Sequence, residues 1–167
     1  SGPTCTQLLG ALGADVVKVE PPAGDEARSW GPPFAGDLGT LFVAVNSGKR
    51  SVAIDLRRGI DVVLRLVDRA DVFVQSLRPG LADELGLGAE ALRSRKPELV
   101  HCTVSSYGRT GPKRELPGYD PLLQAAGGLI WTNHKYPPDY LVPHGQPGAT
   151  CVWNFTPQGG IGMHYFV

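Results

Sequence analysis

The sequence is poor in cysteine, in net charge and in long apolar runs. Its 167 residues include three cysteines, and 16 Lys and Arg balance 16 Asp and Glu. Three widely spaced cysteines exclude a disulfide-stapled scaffold and fit a reducing compartment. A net charge of zero gives no long-range field that would attract nucleic acid or an anionic membrane. Since no apolar run reaches the roughly 20 residues that cross a bilayer, we expect a cytoplasmic protein that binds neither.

Motifs of several common site classes are missing as well. The sequence has no C-x-x-C pair, no P-loop and no G-x-S-x-G turn, and its four histidines have no regular spacing. We therefore expect no metal site, and we expect His101, on a predicted strand, to make a hydrogen bond. The chain begins at Ser1 rather than at Met, which we interpret as truncation at the N-terminus.

Helix and strand patterns alternate along the first two thirds of the chain. Gly2-Pro3 predicts a helix start, and four apolar residues follow at helical spacing: Cys5, Leu8, Leu9 and Leu12. Residues 16–19, 51–56, 72–74 and 100–104 have strand character, and residues 60–67 and 89–95 have helical character. This order predicts an α/β fold with a mainly parallel sheet and flanking helices. Ligands of such sheets bind beyond the carboxyl ends of the strands.

The composition changes at about residue 130. Residues 131–167 hold 7 of the 13 aromatic residues but only two charged ones, Lys135 and Asp139. We divide the chain into a core of residues 1–130 and an irregular, charge-poor tail of residues 131–167. The tail is either a wrap whose aromatic side chains cover a neighbour or an incomplete element, and its composition favours neither.

Four loops at predicted strand ends contain residues suited to an anionic ligand. They are the loop of residues 21–39 with Arg28, the flanks of one strand with Lys49, Arg50, Arg57 and Arg58, the turn of residues 75–80 with Arg78, and the loop of residues 105–112 with Tyr107. Each loop also has a plain interpretation, because cations commonly solvate strand ends and helix starts without any ligand. Taken singly, the loops do not decide between the two.

Taken in order, these segments resemble CoA-transferase family III, which includes formyl-CoA transferase, carnitine CoA-transferase and α-methylacyl-CoA racemase. The resemblance rests on six segments spread over residues 1–130: SGPTCTQLLGALGADVVKVEPP, GDEARSWGPPF, NSGKRSVAIDL, ADVFVQSLRPGLADELGLG, ELVHCTVSSYGRTGP and PGYDPLLQAAGGL. It implies a Rossmann-like large domain, of which residues 1–130 are a part. It also implies a homodimer of two interlocked chains.

The resemblance further implies a set of residues that contact coenzyme A. By position these are Arg28, Ile54, Arg57, Ser76, Leu77, Arg78 and Tyr107. Arg57 and Arg78 can each meet a phosphate bidentately, and Leu77 can pack on the adenine. Glu84 departs from the family pattern, because many relatives have an arginine there, and its carboxylate would repel a phosphate.

Transferases of this family use an aspartate that attacks the acyl-CoA thioester. That aspartate stands four residues before a Gly-Met-His triplet, and counting back from Gly162-Met163-His164 gives Gln158. A glutamine amide cannot form the required anhydride, which leaves Asp139 as a weak substitute. The racemases instead use the histidine of a Gly-His-Asp triplet, and this chain has Gly118-Tyr119-Asp120.

Three hypotheses of function result. The leading one is a CoA-transferase that moves CoA between an acyl-CoA and a small carboxylic acid through an enzyme carboxylate. The second is a catalytically silent CoA-binding or structural fragment, because Gln158 replaces the nucleophile. The third is an α-methylacyl-CoA racemase, which Tyr119 would deprive of its base.

Overall fold

The computed structural model describes residues 1–116 and residue 118. The helices are α1 (Gly2–Ala11), α2 (Thr40–Asn46), α3 (Ile60–Val67), α4 (Leu81–Glu84) and α5 (Ala89–Arg95), with a 3-10 helix at Glu26–Ser29. The strands are β1 (Val17–Glu20), β2 (Phe34–Ala35), β3 (Leu38–Gly39), β4 (Arg50–Ala53), β5 (Val72–Gln75) and β6 (Val100–Thr103). The predicted α/β class is confirmed.

The strands form two parallel pairs and one small hairpin. β1 pairs with β4 in the register Val17 to Arg50, and β5 pairs with β6 in the register Val72 to Val100. β2 and β3 are antiparallel. The parallel pairing agrees with the prediction. One sheet was expected. Within the described part of the chain the strands instead form separate pairs, β1 with β4 and β5 with β6, and no hydrogen bonds join one pair to the other.

The core lies between the helices that follow β4 and β5. In α3, Val63 and Val67 are 3% and 2% exposed, whereas Asp61 and Arg65 on the other face form an exposed ion pair. The apolar spacing of residues 60–67 therefore predicted both the helix and its buried face. Among the described residues, the Leu92 side chain in α5 is the most deeply buried, at 1% exposed.

Helix α1 begins at the predicted Gly2-Pro3 step, and one side of it packs on α2. The predicted apolar face is only partly covered, since Leu8 and Leu12 are 63% and 86% exposed. Helix α2 was not predicted from the sequence. Its sequence, TLFVAVN, is rich in β-branched and aromatic residues, which favour a strand.

The loop of residues 21–39 is ordered by local structure. Asp25 caps the 3-10 helix by accepting from the Ala27 N–H, and the Asp25 carboxylate lies 2.6 Å from Lys18 Nζ. A Cβ on Gly39 would lie 2.1 Å from the Trp30 carbonyl oxygen, so only glycine permits this close approach of two backbone segments. None of the described helices combines the length and the apolar character of a membrane span.

Candidate functional site

The turn after β5 carries three of the predicted binding residues. Ser76, Leu77 and Arg78 directly follow the carboxyl end of β5. The Leu77 N–H donates to Gln75 Oε1 at 2.8 Å, and Gly80 adopts a φ of 82° before α4 begins. Because glycine accepts this left-handed conformation at no steric cost, the chain turns sharply here. Ser76 and Arg78 are exposed, and Leu77 is half-buried.

Arg78 has an acidic neighbour in α4. Its Nη2 lies 3.5 Å from Glu84 Oε2, and the two side chains are 60% and 57% exposed. Water screens such a surface pair, so it contributes little stability. Glu84 was expected to repel a phosphate. In the structure its carboxylate also pairs with the Arg78 guanidinium, which is the group predicted to bind that phosphate.

The end of β4 presents Ile54 and Arg57. Ile54 is 8% exposed, and its N–H donates to the Glu20 carbonyl at 2.8 Å, which extends the β1–β4 pairing. The Arg57 N–H donates to Asp55 Oδ1 at 2.9 Å. The Arg57 side chain is exposed, whereas Arg58 Nε lies 3.8 Å from Asp55 Oδ2.

One apolar cluster joins the ends of β4 and β5. Its buried members are Ile54, Val63, Val67, Ala82, Leu87, Leu92 and Leu99, and Leu77 packs against it. The structure thus brings together Ile54 and Leu77, two of the residues predicted to contact coenzyme A. Arg57 and Arg78 follow them in the adjoining turns.

Arg28 is bound within the protein. Its Nε and Nη2 donate to Glu20 Oε2 and Oε1, both at 2.8 Å, and its guanidinium lies 4.3 Å from the Phe42 ring centroid. This pairing holds the loop of residues 21–39 against the end of β1. Coenzyme A binding by Arg28 stays a prediction, and the sequence analysis did not foresee this structural role.

Glu20 is a buried carboxylate at the end of β1. It is 3% exposed. It also accepts from Ser51 Oγ at 2.6 Å and from the Asp25 N–H at 2.8 Å. The Arg28 hydrogen bonds, with those from Ser51 and Asp25, lower the pKa of Glu20 to about 2, although burial alone would raise it.

Lys49 connects helix α1 to the end of helix α2 through hydrogen bonds. Its Nζ donates to the carbonyls of Pro3 and Val45 at 2.8 and 2.6 Å and to the side chains of Thr6 and Asn46 at 2.8 and 3.1 Å. Burial lowers the pKa of this ammonium. Four acceptors already face its three N–H groups, so Lys49 ties α1 to the end of α2 instead of facing a ligand.

Arg50 is likewise paired, with Asp15 Oδ2 at 2.5 Å from its Nη2. Lys49 and Arg50 therefore have structural partners on the amino side of β4. On the carboxyl side, Arg57 and Arg58 are exposed. The four cations that flank this strand therefore do not form a single site for an anionic ligand.

Tyr107 lies in the loop after β6, at the same edge as Ser76 because β5 and β6 are parallel. Its side chain is half-buried, and Lys113 Nζ lies 5.7 Å from its ring centroid. The loop also borders an open surface depression lined by Ala89, Glu90, Arg93, Ser94 and Arg109.

Several predicted residues fall outside the described part of the chain. These are Gln158, Asp139, Tyr119 and Asp120, together with the boundary between residues 130 and 131. Within residues 1–116 and 118, no three His, Cys, Asp or Glu side chains lie close enough to hold a metal ion. His101 makes the predicted hydrogen bond, with its Nε2 3.1 Å from the Leu87 carbonyl.

Curated proteins similar to this chain are CoA-transferases. The chain is 44% identical over 133 residues to succinyl-CoA:glutarate CoA-transferase of Mus musculus, covering 78% of this chain and 30% of the mouse protein. It is 39% identical over 157 residues to succinate–glutarate CoA-transferase of Agrobacterium fabrum, covering 88% of this chain and 37% of that protein. The chain thus spans about a third of the length of these relatives.

A solved structure has the same arrangement. The CAIB/BAIF family protein from Brucella suis superposes with a TM-score of 0.72 at 42% identity, covering 77% of this chain and 35% of that chain. The sequence model of CoA-transferase family III matches residues 1–151, which extends past residue 130. This chain belongs to CoA-transferase family III.

Proposed function

We propose that the chain is part of an enzyme that transfers CoA between an acyl-CoA and a small carboxylic acid. It binds the acyl-CoA at the carboxyl ends of β4, β5 and β6. Family membership supports this proposal, as do the names of relatives that act on succinyl-CoA and glutarate. The acid is therefore a short carboxylic acid, and a dicarboxylic acid is the first class to test.

One observation carries the proposal for coenzyme A. Ile54 and Leu77, which follow strands of two different pairs, share one apolar cluster. Leu77 is half-buried and supplies the apolar surface for a flat ring, and it packs against the cluster that contains Ile54. In this proposal the adenine packs on Leu77, and the exposed guanidiniums of Arg57 and Arg78, in the turns after β4 and β5, bind the phosphates of coenzyme A.

The reaction proceeds through an enzyme carboxylate, as the family resemblance implies. A carboxylate oxygen attacks the thioester carbonyl and the C–S bond breaks, so that CoA leaves as a thiolate and the acyl group stays on the enzyme as a mixed anhydride. The thiolate then attacks the enzyme's own carbonyl carbon, which releases the donor acid and leaves an enzyme–CoA thioester. The acceptor carboxylate attacks this thioester, and CoA then moves from the enzyme to the acceptor by the reverse steps.

Intact-mass spectrometry of the protein expressed from its own gene tests this route. Incubation with labelled acyl-CoA is expected to give an adduct of CoA on a carboxylate. Binding of CoA without any adduct would contradict the transferase and favour the catalytically silent alternative, which Gln158 at the nucleophile position motivates.

The racemase alternative makes a different prediction. Tyr119 stands where the racemases have histidine, so the base for the α-proton is missing. We expect no deuterium from solvent at the α-carbon of a 2-methylacyl-CoA. Deuterium incorporation would overturn the transferase assignment.

The proposal includes a cytoplasmic homodimer. The exposed Leu8 and Leu12 on α1 offer an apolar surface for a second chain, and the free thiols of Cys5 and Cys102 fit a reducing compartment. Sedimentation should give a mass of two chains, and cell fractionation should recover the protein with cytoplasmic enzymes. A monomer at all concentrations, or recovery outside the cytoplasm, would contradict the respective part.

A further inference from the structure

Three side chains and two backbone groups form a chain of hydrogen bonds that ends at the turn after β5. His101 Nε2 lies 3.1 Å from the Leu87 carbonyl oxygen, and His101 Nδ1 lies 3.5 Å from Thr103 Oγ1. Gln75 Nε2 donates to Thr103 Oγ1 at 3.1 Å. The Leu77 N–H donates to Gln75 Oε1 at 2.8 Å. The network therefore connects β6 to the backbone of a residue predicted to contact coenzyme A.

Each hydrogen bond in this network can be given a donor and an acceptor without conflict. The Leu77 N–H can only donate, so the Gln75 amide oxygen must face it and the Gln75 NH₂ must face Thr103. Thr103 Oγ1 then accepts from Gln75 and directs its own proton at His101 Nδ1. A neutral His101 that carries its proton on Nε2 donates to the Leu87 carbonyl, which satisfies every group.

Gln75 and Thr103 are register partners, the last pair of β5 and β6. The hydrogen bond between their side chains is exposed, and exposed hydrogen bonds contribute modestly to stability. The Gln75 side-chain amide bonds to Thr103 on the neighbouring strand and to the Leu77 N–H in the turn. We therefore expect the loss of this amide to change the free energy of unfolding little.

We propose that Gln75 and Thr103 are positioning residues that fix the turn Ser76–Arg78 in the orientation that binds the nucleotide part of coenzyme A. This inference rests on the proposed function, since it assigns a role to neighbours of Leu77 and Arg78. Neither residue touches the ligand in this account. They act through the Leu77 N–H, which Gln75 holds.

The test compares conservative and disruptive variants of the protein expressed from its own gene. Gln75→Leu removes both amide hydrogen bonds, and Thr103→Val removes the hydroxyl at nearly constant volume. Thr103→Ser keeps the hydroxyl and serves as the matched control. The readouts are the Kd for free CoA by calorimetry, KM and kcat for an acyl-CoA, and the Tm of each variant.

We expect Gln75→Leu and Thr103→Val to raise the Kd for CoA by about 5-fold, the size of one hydrogen bond. KM should rise with kcat nearly unchanged, Thr103→Ser should restore wild-type binding, and the Tm values should stay close together. If Thr103→Val and Gln75→Leu bind CoA as the wild type does while Arg78→Ala does not, the positioning role is overturned and the proposed function stands. If Arg57→Ala and Arg78→Ala also bind CoA normally, the proposed site itself is wrong.

Discussion

Arg28 and Glu20 face each other in a bidentate pair, with both hydrogen bonds at 2.8 Å and the carboxylate side chain 2% exposed. This pair links a loop that is rich in Gly and Pro to the end of β1, close to the start of the proposed site. Breaking a buried pair from one side leaves the other charge without its partner, which is costly. The stability of the loop therefore depends on one carboxylate.

Glu20→Gln should destabilise the protein strongly at neutral pH. The pKa of Glu20 is lowered from 4.5 to about 2, so the native state binds its proton more weakly than the unfolded state does. The stabilisation is complete above pH 4.5. It is lost as the pH falls toward 2, and its full size is on the order of 3 kcal/mol.

Urea unfolding at pH 7 and pH 3 of Glu20→Gln and wild type measures this difference. The gap in unfolding free energy should be large at pH 7 and smaller at pH 3. Asp15→Asn is the control, because Asp15 is 72% exposed in its pair with Arg50. A gap for Glu20→Gln that is independent of pH would contradict the ionic role.

Lys49→Ala should lower the free energy of unfolding by about 1–3 kcal/mol, because it leaves partly buried acceptors in α1 and α2 without their donor. Arg50→Ala, at the next position, should change stability little, since its side chain is 68% exposed. Thermal unfolding of both variants checks this. Equal Tm values for the two would show that Lys49 does not tie the helices together.

Glu84→Gln should strengthen CoA binding. It frees the Arg78 guanidinium, whose Nη2 lies 3.5 Å from Glu84 Oε2, and it removes a carboxylate that repels phosphate. We expect the Kd for CoA to fall by about 2- to 5-fold at low salt, the range of a surface charge pair. Glu98→Gln, 71% exposed just before β6, is the control, and a weaker affinity in Glu84→Gln would contradict this arrangement.

Arg57→Ala and Arg58→Ala form a matched pair on one loop. Both side chains are exposed, but only Arg57 matches a family position that contacts coenzyme A. We expect Arg57→Ala to raise the Kd for CoA by about 10-fold, the loss of a charge-assisted hydrogen bond, and Arg58→Ala to have little effect. Equal losses for both would mean that the loop attracts CoA only through its general positive charge.

The sequence predicted the elements that have a clear hydrophobic period or that begin or end at glycine and proline. The spacing of Ile60, Val63, Leu64 and Val67 gave α3, and Gly2-Pro3 marked the start of α1. The turn of Ser76–Arg78 could be placed at a strand end, because β-branched residues precede it and Pro79-Gly80 follows. Helix α2 was missed because β-branched and aromatic residues make up most of its seven positions, and such residues favour strands over helices.

The partners of charged residues could not be read from the sequence. Lys49 and Arg28 both look like loop cations available to an anion, yet each is held by a partner in another element: Thr6 and Pro3 in α1 for Lys49, and Glu20 at the end of β1 for Arg28. The role of Gln75 also escaped, since its hydrogen bond to Thr103 depends on the register of β5 and β6. Local patterns carry no information about such pairs.

The most direct test of the proposed coenzyme A site is a calorimetric titration of Arg78→Ala with free CoA, compared with the same titration of the wild type. The account predicts that the variant binds CoA more weakly by more than about 1 kcal/mol, the size of a charge-assisted hydrogen bond, with its Tm unchanged. A titration curve that superimposes on that of the wild type would contradict it.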